Sequence, residues 1–233
     1  MSNLRRSMLA AVTASLIVAA TGWVSAQSDG IKDTERFVKS GTSMSEAVAG
    51  ARLSAQTALD AHNLLIMGTS SNMKGEYKKL VYAADVMAKK VADAKKMAAE
   101  MDKQSAAYFT SRLAALGQIE DPKLRDLAKT RLEASQKEYE AIKVQLRAAS
   151  DSLAPFAKSL NDQIRYLGAE LTPGAADSLA TEATTLTDRG HDVFAQADAA
   201  VNAANLYFNA LRPNRARPAP VPAATSEATV QQQ

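Results

Sequence analysis

The chain of 233 residues has no cysteine. That excludes disulfide staples, thiolate metal centres, cysteine nucleophiles and lipid attachment at an N-terminal cysteine. Tryptophan occurs once, at Trp23, and the aromatic residues make up 5% of the chain. With only two histidines, His62 and His191, a histidine-based metal or acid–base centre has little to draw on. Glycine (10) and proline (7) are scarce. No stretch alternates β-branched with polar residues, so a β-sandwich or barrel is excluded. There is no glycine-rich phosphate loop and no serine in a nucleophile elbow. The formal net charge is +3, too small to predict a nucleic-acid partner.

About one residue in five is alanine, the strongest helix former. Apolar and small residues recur in steps of four and three along three segments. The first runs Tyr77, Leu80, Ala84, Met87, Val91, Ala94, Ala98, Met101. The second runs Leu132, Ser135, Tyr139, Ile142, Leu146, Ala149, Leu153, Phe156, Leu160. The third runs Ala176, Leu179, Ala183, Leu186, Gly190, Val193, Ala197, Ala200, Ala204, Tyr207, Leu211. This is heptad spacing, in which one stripe of each helix faces its neighbours. It predicts an all-α fold: an elongated antiparallel coiled-coil helical bundle of three long helices plus a shorter N-terminal one.

The first 26 residues read as a signal peptide. Arg5 and Arg6 form a basic start, Met8 to Gly22 is uncharged and mostly apolar, and Val24-Ser25-Ala26 offers small residues for cleavage between Ala26 and Gln27. A bilayer span wants about 20 apolar residues, and this run is shorter. Export to the periplasm or beyond the cell is therefore expected, without lipidation. Loss of the two arginines lowers the net charge of the mature chain to about +1.

Residues 27–42 read as a polar segment. Ser43 with Glu46 forms a capping box that predicts the start of the first helix, which runs to Met67 with Val48, Leu53, Leu59, Leu64 and Ile66 buried. A second helix is predicted over Gly75 to Leu116, closed by Gly117. Asp121-Pro122 opens a third, extending to Leu171 with a kink or short break near Pro155. Thr172-Pro173 opens the fourth, which ends at Leu211. Large seam residues on the third helix (Leu146, Leu153, Phe156) face small ones on the fourth (Ala183, Gly190, Ala197). Residues 212–233 are rich in proline and alanine, without periodicity, and predict a disordered tail.

Few residues could carry chemistry, and no catalytic, metal or cofactor-binding residues are assigned. Asp60 and His62 lie two apart, and His191 adjoins Asp192, so neither pair shares a helix face. Met97 and Met101 share one, a pattern that suits copper(I), but Met87 and Met101 occupy seam positions where methionine is ordinary filler. Two basic–aromatic clusters remain as surface-binding candidates for anionic lipid or cell-wall polymer: Lys74, Lys78 and Lys79 beside Tyr77 and Tyr82, and Arg212, Arg215 and Arg217 beside Tyr207 and Phe208.

Several stretches carry a family resemblance. They are Ala51-Arg52 with Ala55-Gln56, Glu76 to Leu80, Arg125 to Arg131 with Tyr139, Leu153-Ala154-Pro155-Phe156, Asp162 to Leu167, and the turn from Leu171 to Leu179. From about Gly50 to Leu211 the chain resembles a bacterial family of exported helical proteins, domain-of-unknown-function family 2959. Ile31 to Gly41 matches it poorly. The resemblance implies export and a helical bundle; members often look like lipoproteins, and this chain departs from them in lacking the cysteine. The resemblance implies no activity and adds no site residue.

The sequence thus predicts an exported, non-catalytic structural or adaptor protein of the envelope, acting through a protein partner or self-association of its helical faces. The alternative is a peripheral lipid- or cell-wall-binding protein. Because Trp23 lies in the signal region, the processed protein is expected to show tyrosine emission alone; tryptophan emission from protein purified out of the exported fraction would show that the segment is retained.

Overall fold

The computed structural model describes residues 10–68 and 70–212, with side chains from residue 30 onward. It comprises α1 (Ala10–Met67), α2 (Met73–Leu116), α3 (Pro122–Ala169), a single turn and a half α4 (Pro173–Ser178), and α5 (Ala180–Ala210). Short polar connections follow three of the four predicted boundaries. Asn72 caps α2 by accepting from the Gly75 N–H at 3.0 Å. Asp121 caps α3 through the Lys123 and Leu124 amides, with Pro122 in the first turn, where its missing N–H costs nothing. Thr172 caps α4 through the Ala175 amide at 3.2 Å.

The four long helices pack as neighbours in the ring α1–α2–α3–α5, closed by α5 on α1. Every adjacent pair is antiparallel. On α1 and α5, Ser45 meets Asn205 and Asn63 meets Thr187, so residue numbers rise on one helix as they fall on the other. Asp33 meets Ser111 across α1 and α2, Tyr77 meets Ile164 across α2 and α3, and Ser135 meets Tyr207 across α3 and α5. Short connections between sequential helices leave this up-down-up-down arrangement as the natural outcome. Helices of 44 and 48 residues span about 66–72 Å.

The four-three stripes of α2, α3 and α5 are the buried faces. Leu80, Ala84, Met87, Val91, Ala94 and Met101 are buried on α2. So are Tyr139, Ile142, Leu146, Ala149, Leu153, Phe156 and Leu160 on α3, and the α5 stripe from Ala183 to Tyr207. The large-against-small expectation holds at Gly190: a Cβ there would lie 2.8 Å from Leu59 Cδ2 and 3.2 Å from the Phe156 ring.

The N-terminal helix departs from expectation. It is the longest helix, not a shorter one, and it runs through residues 27–42 and past Ser43 without a cap. The polarity of that segment belongs to one face only. Lys32, Glu35, Arg36 and Lys39 are exposed, whereas Thr34, Phe37, Val38 and Gly41 are buried against the other helices. No proline interrupts the stretch, so nothing forces the helix to begin at Ser43. The buried seam of α1 is Thr34, Phe37, Gly41, Met44, Val48, Ala51, Ala55, Ala58, His62 and Leu65, a fourth four-three series. Leu53 (63% exposed) and Leu64 (50% exposed) lie outside that seam and face solvent, contrary to expectation.

Smaller corrections concern the ends. Pro155 does not break α3, which is continuous from Pro122 to Ala169. Its ring is exposed, and so is Asp151, whose carbonyl is the acceptor that the missing N–H leaves without a helical partner. Gly117 closes α2 in right-handed helical geometry, at φ −64°, so the residue is not needed for a left-handed cap. The predicted fourth helix is divided at Leu179, where the amide bonds back three residues to Ala176 O at 3.0 Å. The predicted disordered tail, from residue 213 onward, lies outside the described residues.

The tightest contact in the core lies at Gly41, where a Cβ would fall 2.0–2.3 Å from the Phe208 ring. Gly41→Ala gains about 1 kcal/mol of helix propensity but must push a fully packed ring aside, and such overpacking costs roughly 1–3 kcal/mol or more. A fall in melting temperature by circular dichroism is expected, while Gly174→Ala, with nothing within 4 Å of its Cβ, leaves it unchanged or raised.

Candidate functional site

The side chains with chemical potential are distributed over the two ends of the bundle. Toward the end where α2 and α5 finish, five aromatic rings gather around Phe37. Its ring stacks on Tyr108 at 4.5 Å between centroids and meets Tyr139 at 5.1 Å, Phe208 at 5.5 Å, Phe109 at 5.6 Å and Tyr207 at 6.4 Å. Edge-to-face arrangements of this kind add to ordinary burial. The Tyr207 hydroxyl pairs with the Ser135 hydroxyl at 2.9 Å and donates to Ser135 O at 3.1 Å. The Tyr139 hydroxyl is buried without a partner. Burial pushes its pKa up to about 12, against the opposing influence of the nearby Ser105 side chain. Burial likewise raises Tyr207 above the ordinary phenol range. Both phenols therefore stay neutral at physiological pH and act as packing groups.

The other half of the bundle holds a polar layer. His62 is fully buried on the α1 seam. Its Nδ1 lies 3.3 Å from Asn63 Oδ1, and Asn63 Nδ2 donates to Thr187 Oγ1 at 3.0 Å. Nε2 of His62 and Oε1 of Gln163 are both buried without a hydrogen-bond partner, while Gln163 Nε2 donates to the Glu182 carbonyl at 3.4 Å. Desolvation holds the His62 pKa below its ordinary 6.5, with the Asn63 and Gln163 side chains pulling the other way. Nothing in the sequence pairs His62 with Gln163, because they lie on different helices. The only available clue was the seam register of His62 on α1.

The surface-binding candidates do not form one surface. Lys74, Lys78 and Lys79 are exposed at the start of α2, and Lys79 is held by Glu76 at 3.0 Å. Tyr77 turns inward and donates to Ile164 O at 3.3 Å, leaving Tyr82, at 73% exposure, as the surface aromatic there. Arg212 is exposed at the end of α5, beside the aromatic cluster; Arg215 and Arg217 lie outside the described residues. The run of α2 from Tyr77 to Tyr108 separates the two ends by about 46 Å. Tyr207 and Phe208, read as aromatic partners of the arginines, are buried in the core. Among the histidines and methionines weighed for metal binding, His191 is exposed, and Met87 and Met101 are fully buried core residues. Among the described residues there is no group of three or more His, Asp or Glu able to hold a metal ion.

His62 makes folding pH-dependent. Its folded pKa lies below its unfolded value, so its contribution is complete above about pH 6.5 and is lost as pH falls through the folded value. In denaturant unfolding at pH 7.5 and pH 5, the native chain is expected to lose more stability on acidification than His62→Gln, by the uptake of at most one proton. An identical loss in both proteins would remove His62 from the account.

No helix of the described residues is long and apolar enough to cross a membrane. A comparison with curated proteins found no match to the chain. The profile of a family described as a protein of unknown function, DUF2959, matches residues 24–211, and so covers Ile31 to Gly41, the stretch that had looked dissimilar. Phe37, Gly41 and the α1 seam thus belong to the same unit as the rest of the bundle. Over that span, nearly the whole of its helical bundle, the chain belongs to the DUF2959 family.

Proposed function

We propose that this protein is an exported, non-catalytic structural or adaptor protein of the cell envelope, a helical rod that offers long faces to a protein partner or to a second copy of itself. Residues 1–26 serve as its cleaved signal, with processing between Ala26 and Gln27, and the mature chain is periplasmic or secreted. The seams of the four long helices pack as an elongated coiled coil, knobs into holes.

The observation that carries this reading is the use made of the inward-facing positions. From Phe37 to Leu65 on α1, Leu80 to Tyr108 on α2, Tyr139 to Leu167 on α3 and Ala183 to Phe208 on α5, the buried stripe is continuous and almost wholly apolar. Along these stripes the inward-facing side chains are committed to packing, which leaves the helix exteriors and the bundle ends as the accessible surface. One exterior is suited to a helical partner. Between α1 and α2 lies a groove of about 330 Å³ lined by Leu53, Thr57, Tyr82, Val86 and Lys90, and Leu64 and Met67 continue the exposed apolar line along α1. The basic cluster Lys74, Lys78 and Lys79 is small and stands alone at its end, which gives the alternative reading, a peripheral lipid or cell-wall binder, less support.

Small-angle scattering tests the shape. A rod about 70 Å long and about two helix diameters wide has a radius of gyration near 22 Å. A compact domain of this length would give about 17 Å. A value at or above 22 Å is expected, together with helix-to-helix crosslinks to a partner or a second copy through the Leu53–Tyr82 face. A compact, uncrosslinked monomer would overturn the proposal.

A further inference from the structure

We propose that the end of the bundle where α2 passes into α3 binds an amphiphilic anion, a single alkyl chain with a carboxylate or phosphate head. A cavity of about 430 Å³ opens there between α2, the 117–121 connection, α3 and the last turn of α5. That volume falls within the range of small-molecule sites, roughly 300–1,000 Å³. Its apolar wall is formed by Leu116, Ile119, Leu132 and Leu211, and its cations are Arg112 and Arg131.

The charge balance points to the ligand. Three other cavities set their cations beside a carboxylate: Arg189 with Glu182, Arg165 with Asp162, Arg36 and Lys39 with Glu100; the groove between α1 and α2 has the single cation Lys90. In the cavity at the α2–α3 end no carboxylate lines the wall. Arg112 is held in place, since its Nη2 donates to Gly30 O at 3.2 Å and to Thr34 Oγ1, and its guanidinium lies 5.4 Å over the Tyr108 ring. A guanidinium has five N–H donors, so donors remain for an anion. Arg131 is exposed and makes no ion pair among the described residues. The surface around the opening is also apolar: Leu113, Leu124 and Leu127 are 57–62% exposed on the same end of α2 and α3. Two fixed or free cations beside an apolar hollow suit a ligand with a charged head and a hydrocarbon body. Phosphate alone would leave the hollow unfilled, and a neutral hydrocarbon would leave the guanidiniums unanswered.

The test is titration calorimetry of the purified full-length chain with octanoate and laurate below their micellar concentrations. Each methylene buried strengthens binding up to about fourfold, so laurate is expected to bind at least tenfold more tightly than octanoate. Arg131→Glu and Ile119→Glu, both at partly or fully exposed positions, are expected to weaken laurate binding at least tenfold while keeping the wild-type melting curve. Lys78→Glu, at the far end, leaves it unchanged. Co-sedimentation with phosphatidylglycerol and phosphatidylcholine vesicles identifies the source. Binding to the anionic vesicles, lost in Arg131→Glu, marks a bilayer lipid, whereas laurate binding without vesicle binding marks a free amphiphile. No binding of laurate, equal affinity for the two chain lengths, or equal weakening by Lys78→Glu would overturn the proposal.

Discussion

The close approach of α1 to α5 is the constraint on which the rest of the bundle depends. It is secured at two points by glycines that leave room for a large side chain opposite. Phe208 of α5 fills the space above Gly41 of α1, and Leu59 of α1 fills the space above Gly190 of α5. The two contacts are related by the same separation on both helices, 18 residues from Gly41 to Leu59 and 18 from Gly190 to Phe208. Two reciprocal interlocks about 27 Å apart fix the antiparallel register, since a slip by one residue would drive a ring or an isobutyl group into backbone. Between them, Arg52 pairs with Asp198 at 3.1 Å and lies over the Phe194 ring at 5.1 Å. With α1 and α5 so fixed, α2 and α3 close the ring, and their larger side chains fill what the small residues leave open.

That arrangement makes the rod chemically polar along its axis. One end is dominated by rings, with Phe37 at their centre, and half of the chain's tyrosines are held there. The other half holds the polar layer of His62, Asn63 and Thr187, with Gln163 beside it. A layer of this kind costs desolvation and returns specificity, because only one register brings its members together. The aromatic end adjoins the cationic cavity, so the fold places its ring packing beside a hollow that combines apolar walls with two arginines and no carboxylate.

Three of the four seams were legible in the sequence, and the fourth was not, for a physical reason. On α2, α3 and α5 the four-three positions carry enough leucine, isoleucine and aromatic residues to stand out. On α1 the same positions carry Thr34, Gly41, Ala51, Ala55, Ala58 and His62, small or polar residues chosen for close approach rather than hydrophobicity. Leu53 and Leu64 stood out instead and drew the helix face to the wrong side. The same bias hid the helical character of residues 30–42, whose charged outer face reads as loop while Phe37 sits at the centre of a core. Of the sites, the lysine cluster was legible as composition, but its separation from Arg212 was not, because distance along an antiparallel bundle cannot be read from either cluster alone. The cavity of Arg112, Ile119 and Arg131 was invisible for the same reason: its walls come from three helices and a connection.

By itself the sequence determined the class of fold, the positions of the caps at Asp121 and Thr172, and the buried stripes of three helices, because these follow from local spacing and local hydrogen-bonding capacity. Only the tertiary structure decided which face of α1 is inside, that Gly41 and Gly190 are contact points, that His62 meets Gln163, and that two arginines share an apolar hollow. Each of these depends on which residues of distant helices stand at the same height, and that height is set by packing across the ring, not by any pattern within one helix.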